Sequence, residues 1–473
     1  MSFKPSKYQQ DIFDFIKTGT GNAIVEAVAG SGKTTTILRA LDFINPRSKV
    51  LFLAFNKHIA SELQAKMPFG FEAKTLHSLG YSIIKENRKV KMQQWKITNI
   101  IKESILGKSY NWKKDYAKMT VAVKLIGLIK SLGYHSVDVK EASDIVDHFA
   151  LDAKNLELGL VIRAWELMEG DPNTIDFDDM IWVPVHDDLT FPKYDYVFVD
   201  EAQDLSPIQV DFLARLLGDS SRLIAVGDTH QAIYGFRGAD ADCMNRIRNE
   251  FNTTEFPLSI CYRCPKSVVS LARTLVPHIE HDEDQEDGNV FHRHINSFRE
   301  KAKSGDYVLC RVTLPLLGEC MRQISMGRKA CVKGRDIGTG LISMVEGFKA
   351  GSIADLTEKL KMSREKALGN AKNEAAKIAI EDRHDCILVL MTDVDTVKAL
   401  IAKIKKIFTD KLEGIVFSTI HKSKGLEAKN IYILRGDLLP HPRCNSEWQI
   451  QQENNLSYVA ITRAQETLTW IEE

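Results

Sequence analysis

A chain of 473 residues is too long for one ordinary hydrophobic core, so two or more domains are expected. With 44% hydrophobic and 27% charged residues it reads as a soluble globular protein, and no apolar run approaches the ~18 residues of a membrane span. The start, MSFKPSKYQQ, lacks a secretory pattern, eight scattered cysteines point to free thiols in a reducing compartment, and a formal net charge of zero confines any nucleic-acid signal to local clusters.

In chain order, short apolar runs bounded by turns alternate with helical stretches, as in parallel βαβ units. The first predicted strand, 23–26, leads into AVAGSGKT at 27–34 and a helix over 34–44, and a second strand follows at 50–55. Residues 79–161 carry no strong strand pattern and read as a helical insertion. Within 85–118 lie ten Lys/Arg against three Asp/Glu, net +7, interleaved with Trp95, Tyr110, Trp112 and Tyr116. That mixture suits backbone pairing plus base stacking, and it equally suits a solvated helical face with its aromatics turned inward. Strands resume at 196–200 and 223–226. A second set is predicted at 307–310, 386–391, 415–418, 431–434 and 467–471. A small helical insertion over 341–384 opens on Ser352, an N-cap followed by Asp355 in the first turn. Two α/β cores divided near residue 260 fit this order better than one sheet. The expected segments are 1–78, 162–259, 260–340 and 385–473 for the cores, with 79–161 and 341–384 inserted.

In AVAGSGKT the loop residues Ala29, Gly30, Ser31 and Gly32 bring backbone amides to phosphate oxygens, and the following helix adds its positive end. Lys33 is placed to reach the β- and γ-phosphates and Thr34 to ligate Mg²⁺. The usual first glycine is Ala27 here. The segment YDYVFVDEAQD delivers carboxylates at the end of an apolar strand: Asp200 for Mg²⁺, Glu201 as the base that orients the attacking water. The two motifs together predict hydrolysis of a nucleoside triphosphate.

These residues resemble the UvrD/Rep/PcrA-like superfamily 1 DNA helicases. Further marks are DEAQD itself, VGDTHQAIYGFRGAD at 226–240, CYRCP at 261–265, VFSTIHKSKGLE at 416–427 and LSYVAITRA at 456–464. Tyr8-Gln9-Gln10 is similar to the adenine-reading motif, LAFNKHIA (53–60) and TLHSLG (75–80) to early DNA-contacting motifs, and IDFDDM (175–180) to a segment before the DE strand. The motifs run in family order from residue 9 to 464. The resemblance implies an α/β fold of two tandem RecA-like parallel-sheet cores, each interrupted by a mainly helical insertion, with ATP bound between them. It implies Gln9 as adenine reader, Gln231 as γ-phosphate sensor, Arg263 and Arg463 as arginine fingers, Tyr262 stacked on the adenine, and Gly425 and Glu427 beside the ribose. Single-stranded DNA would run over Phe55, Asn56, His77, Tyr234, Phe236, Arg237 and His421.

The chain departs from the family at Phe236, where tryptophan is common, at Thr35, where an arginine commonly follows GKT, and in its short second insertion. Cys261-x-x-Cys264 has zinc-knuckle spacing but no second pair, and the histidines 278, 281, 292 and 294 flank an acidic stretch that reads as a solvated loop. The expected function is an ATP- and Mg²⁺-dependent helicase and translocase moving 3′→5′ on single-stranded DNA. Its expected partners are single strands, single/double-strand junctions and replication, repair or recombination proteins. Its expected place is the cytoplasm or nucleoid, or the nucleus of a eukaryote. A translocase that strips bound proteins and an ATP-driven clamp within a repair complex are the alternatives.

Overall fold

The computed structural model describes residues 4–54, 56–149, 151, 153, 156–233, 235, 242–371, 374–444 and 447–472, save the side chains of 112–114, 116, 117, 370 and 375. It divides into two compact units, Met1–Ser259 and Ile260–Glu473.

The first unit is built on a parallel sheet with the order β3-β2-β6-β7-β1-β8: β1 Ala23–Ala27, β2 Val50–Leu53, β3 Glu72–Lys74, β6 Tyr194–Val199, β7 Leu217–Gly227 and β8 Thr254–Leu258. A small parallel ribbon, β4 Lys91–Met92 with β5 Thr174–Ile175, lies among the helices inserted between β3 and β6. Because side chains alternate across a strand, neighbouring residues serve different cores. Ile24, Leu51, Leu53, Val197, Val199, Leu223 and Ala225 pack on the helices of the insertion side. Val25, Val50, Phe52, Phe198, Ile224 and Val226 pack against Ile12, Phe13, Ile37 and Leu41 on the other. A parallel sheet covered on both faces has unbroken apolar strands, which is why FLA- and VFV-type runs were readable.

The second unit holds a seven-stranded parallel sheet, order β11-β17-β16-β12-β15-β13-β14. Its strands are β11 Asn289–His294, β12 Tyr307–Cys310, β13 Ala330–Lys333, β14 Phe408–Thr409, β15 Ile415–Thr419, β16 Ala428–Leu434 and β17 Ala464–Glu472, and a separate ribbon pairs β9 Ile260–Cys261 with β10 Glu280–His281. Helices Arg335–Gly347, Ile353–Asn370, Glu374–Leu390 and Val397–Ile407 intervene between β13 and β14.

One predicted strand is corrected. Residues 386–391 lie almost wholly in the helix Glu374–Leu390, which also runs through 384 and 385. CILVLM is apolar throughout because the helix is enclosed: Cys386, Ile387 and Leu390 sit in the core with Leu356 and Leu360. A short apolar run cannot by itself separate a buried helix from a buried strand. One turn earlier, Asp382 accepts from the amides of Thr313 (3.0 Å) and Leu314 (2.7 Å), capping the start of the helix Thr313–Ser325.

Candidate functional site

After β1 the chain turns through Gly30 (φ +69°) and Gly32 (φ +77°), a left-handed backbone that a side chain would strain. The helix Lys33–Ala40 starts directly on Gly32 without a side-chain cap, so no side chain satisfies its first amides or its positive end. Ala29 is buried, Thr35 is exposed, and Ser31, 1% exposed, holds an Oγ with no hydrogen-bond partner among the described residues. A buried hydroxyl beside unsatisfied helix amides fits an anion better than it fits a closed loop. Gln9 is engaged at both ends of its amide: Nε2 donates to Thr36 Oγ1 at 3.0 Å, and Oε1 accepts from Ser6 N at 3.0 Å. It therefore ties the N-terminal helix Lys7–Thr18 to the helix that begins at Lys33.

The first unit brings the two nucleotide motifs together across its sheet. Thr34 Oγ1 donates to Asp200 Oδ2 at 3.1 Å. Asp200 follows directly on β6, and burial, then the charge of Glu201, pushes its carboxyl up to about 6, against the pull of Lys33 and the Thr34 hydroxyl. Glu201 follows in a left-handed conformation (φ +55°), its amide donating to Asp200 Oδ1 at 2.9 Å. From there runs a relay that sequence reading missed. Gln203 Nε2 donates to Glu201 Oε2 at 2.6 Å, and Gln203 Oε1 accepts from the Asp228 amide at 2.9 Å. Asp228 Oδ2 in turn accepts from Gln231 Nε2 at 2.6 Å. The candidate base and the candidate γ-phosphate sensor are thus joined through one buried glutamine. Gly227 leaves room for it: a Cβ there would lie 2.6 Å from Gln203 Oε1 and 2.8 Å from Met244 Sδ.

In the second unit Arg263 Nε pairs with Glu427 Oε2 at 2.5 Å, and its Nη1 donates to Thr462 O at 3.3 Å. Glu427 also accepts from Gln465 Nε2 at 2.9 Å. Gly425, two residues before it, has φ +81° and open space where a Cβ would be. Arg463, 1% exposed, donates to the carbonyls of Val459 (3.0 Å) and Leu426 (3.2 Å). Tyr262 keeps 38% of its surface exposed. Cys261 and Cys264 are buried, with the Cys264 amide donating to Cys261 Sγ at 3.4 Å.

Of the DNA-contact candidates, Phe55, Tyr234, Phe236 and Arg237 lie outside the described residues. Asn56 caps the helix Lys57–Lys66, its Oδ1 accepting from Ile59 N at 3.0 Å. His421 stands half-buried in the short helix Ile420–Ser423 after β15. His77 stacks on Phe177 with ring centroids 4.0 Å apart, and burial lowers its imidazole to about 4, so it is neutral at pH 7. Phe177, 55% exposed, is a second residue missed: its segment IDFDDM was noticed, but nothing local told which side chain faces out. Its neighbours Asp176 and Asp179 face in. Lys130 Nζ pairs with Asp176 at 2.9 Å and Asp179 at 2.8 Å, and Lys96 Nζ with Asp179 at 3.0 Å, all buried. Lys96, one of the basic residues of the 85–118 run, and Lys130 farther on therefore tie the inserted helices to the segment that carries Asp176 and Asp179. Lys102 covers the half-buried ring of Tyr110 at 5.5 Å, whereas Trp95 is 63% exposed.

Residues 8–252, more than half of the chain, match the profile of the UvrD/REP helicase N-terminal domain. The chain belongs to the UvrD/REP helicase family. Residues 414–471 match the UvrD-like helicase C-terminal domain, and the fold described above is the tandem α/β arrangement of that family. Relatives include F-box DNA helicase protein 1 of Schizosaccharomyces pombe, 25% identical over 94% of this chain and 55% of its own. The probable DNA helicase II homolog of Mycoplasma pneumoniae is 26% identical over 58% of this chain and 42% of its own. ATP-dependent DNA helicase PcrA of Staphylococcus epidermidis is 24% identical over 56% of this chain and 39% of its own. The chain spans about half the length of the curated relatives it matches. Among the described residues no helix is long and apolar enough to cross a membrane.

The donors fit the cofactor this family implies. Thr34 Oγ1 and the Asp200 carboxylate are hard oxygen ligands 3.1 Å apart, the kind Mg²⁺ takes, and the burial that disfavours the Asp200 charge is what a divalent cation would offset.

Proposed function

We propose that this protein is an ATP-dependent DNA helicase and translocase that moves 3′→5′ on single-stranded DNA. The observation that carries the reading is the meeting of Thr34 with Asp200 at the foot of a glycine loop, continued from Glu201 through Gln203 and Asp228 to Gln231. The loop amides and Lys33 hold the phosphates, and Glu201 takes the proton of the attacking water. Mg²⁺, held by Thr34 and Asp200, supplies charge neutralisation on the phosphate oxygens when bound. Gln231 reports the γ-phosphate to the segment that follows it in the chain. Arg263 and Arg463 bring positive charge to the γ-phosphoryl group as it passes from ADP to water, and Tyr262 offers an exposed ring for the adenine. Gln9 gives one amide hydrogen to Thr36 and one oxygen lone pair to Ser6, and its second hydrogen and second lone pair read the base.

His77 and Phe177 form a stacking surface for bases. A neutral imidazole against an exposed phenyl ring tolerates any base, as a motor that grips and releases without reading sequence needs. Asn56 and His421 complete the proposed track with the residues outside the described set. The units Met1–Ser259 and Ile260–Glu473 are proposed as the two motor cores, with residues 79–161 and the helices after β13 as insertions.

The decisive experiment compares ATP-driven strand separation on 3′-tailed, 5′-tailed and blunt duplexes, with RNA versus DNA stimulation of ATPase alongside. Separation of the 3′-tailed duplex alone supports the proposal. ATPase on bare strands without separation supports a protein-stripping translocase, and a preference for 5′ tails overturns the polarity. Glu201→Gln is expected to bind ATP and DNA while losing turnover, and normal turnover would remove Glu201 as the base.

A further inference from the structure

The sequence leaves the basic, aromatic stretch 85–118 divided between a nucleic-acid surface and a solvated helix, and the tertiary structure separates its members. Lys96 is buried on Asp179, Tyr110 is half-buried under Lys102, and Trp95 stands 63% exposed. A single exposed tryptophan needs no occupant by itself, so what gives Trp95 meaning is the exposed aromatic residue carried beside it in the fold.

In the parallel ribbon Met92 is paired with Ile175, and the Gln93 amide donates to Ile175 O at 2.8 Å. Both strands leave the ribbon at the same end, one toward Trp95 and the other toward Phe177. There the two segments are clamped: Lys96, next to Trp95, donates to Thr174 O at 2.8 Å and to Asp179 Oδ2 at 3.0 Å, two residues beyond Phe177. Two largely exposed rings thus follow the two strands at one end of a short ribbon that also carries the 38% exposed Met92. Phe177 is already stacked on His77. Lys91 lies in the ribbon itself beside Met92, and Lys85, Lys89, Lys102 and Lys108 of the same chain segment are exposed. Exposed aromatic rings carried by a lysine-rich segment complement a strand with π-faced bases and a phosphate backbone, and fit a purely apolar protein surface poorly.

We propose that Trp95 is a further base-stacking residue, extending the His77–Phe177 surface onto the inserted helices, where it holds a nucleotide of a single strand beyond the one at Phe177. This rests on the reading of the protein as a single-strand translocase. The insertion thereby becomes part of the track, and the lysines 89 and 91 meet the phosphates of the nucleotides stacked there.

The test uses the whole chain with oligo-dT of graded length, reading the DNA concentration that half-saturates ATPase and direct binding by anisotropy. Loss of one stacked base weakens binding by about 5- to 150-fold. Trp95→Ala is expected to raise the half-saturating concentration by at least about 5-fold on long oligonucleotides and to lose that defect on oligonucleotides too short to reach past Phe177. Trp95→Phe should recover most of the affinity, which a merely misfolded insertion would not. Salt dependence separates stacking from charge: Trp95→Ala lowers affinity with the slope of log K against log salt unchanged, whereas Lys91→Ala makes that slope shallower by up to about 0.7. Trp95→Ala binding long oligo-dT within about 2-fold of wild type overturns this inference and leaves the translocase reading in place. Wild-type protein that neither binds oligo-dT nor is stimulated by it overturns the translocase reading itself.

Discussion

Gln203 is the side chain on which the proposed chemistry and the stability of the first unit both depend. Its Oε1 accepts the Asp228 amide at 2.9 Å, its Nε2 donates to Glu201 at 2.6 Å, and both Gln203 and Asp228 are 1% exposed. Gln203→Met keeps the volume and removes both bonds. The orphaned Asp228 amide then has no water to replace its acceptor, at a cost of about 1–3 kcal/mol. Gln203→Ala adds the cavity, for about 2–4 kcal/mol in all. In a domain of this size each kcal/mol moves Tm by about 2–4 °C, so calorimetry should find the first unit's transition about 2–12 °C lower in the methionine variant and lower again in the alanine one. Turnover should fall about 10-fold or more in both, since each 1.4 kcal/mol of misplaced base or sensor costs a factor of ten. Gly227→Ala should act in the same direction, because its Cβ lands 2.6 Å from Gln203 Oε1. A methionine variant that melts within about 1 °C of wild type and hydrolyses ATP normally would refute the relay.

Asp200→Asn should raise the stability of the nucleotide-free protein near neutral pH. The folded carboxyl is pushed up to about 6 against 3.8 for an ordinary aspartate, so its charge opposes folding above pH 6 and that penalty fades as pH falls toward 3.8. The gain, at most about 3 kcal/mol at pH 8, should vanish in melts below pH 4. His77 has the opposite sense: held at about 4 against 6.5, it supports the fold fully above pH 6.5 and progressively less as pH falls toward 4. His77→Phe should flatten that part of the acid limb of chemical denaturation, and an unchanged limb would show that the ring is solvated. Lys130→Met takes the ammonium partner from buried Asp176 and one of two from Asp179, which keeps Lys96, and should destabilise by about 3–5 kcal/mol in urea melts, whereas a loss under about 1 would mean water reaches Asp176.

Much of the proposed chemistry was legible because it is local. A glycine loop between a strand and a helix forms from about eight consecutive residues, and AVAGSGKT and DEAQD each specify their own backbone. Trp95 and Lys96 show the limit. They are adjacent in a run of basic and aromatic residues, yet one is 63% exposed and the other 3%, and only the partner Asp179, 83 positions away, decides which. The run at 386–391 failed for a related reason: enclosure, which composition reports, is shared by buried strands and buried helices, and what chose the helix was packing against Leu356 and Leu360.

By itself the sequence determined eight of the thirteen strands of the two main sheets, missing β3, β8, β11, β13 and β14, together with the phosphate loop and the acidic strand end, because each is set by neighbours a few residues apart. The tertiary structure decided what those pieces touch. Thr34 meets Asp200 across 166 positions, Gln203 reaches Asp228 across 25, and the ends of β4 and β5 bring Trp95 and Phe177 to one end of a ribbon. Side-chain contact at such separations depends on where the chain returns in the sheet, and burial, charge state and exposure follow from that return.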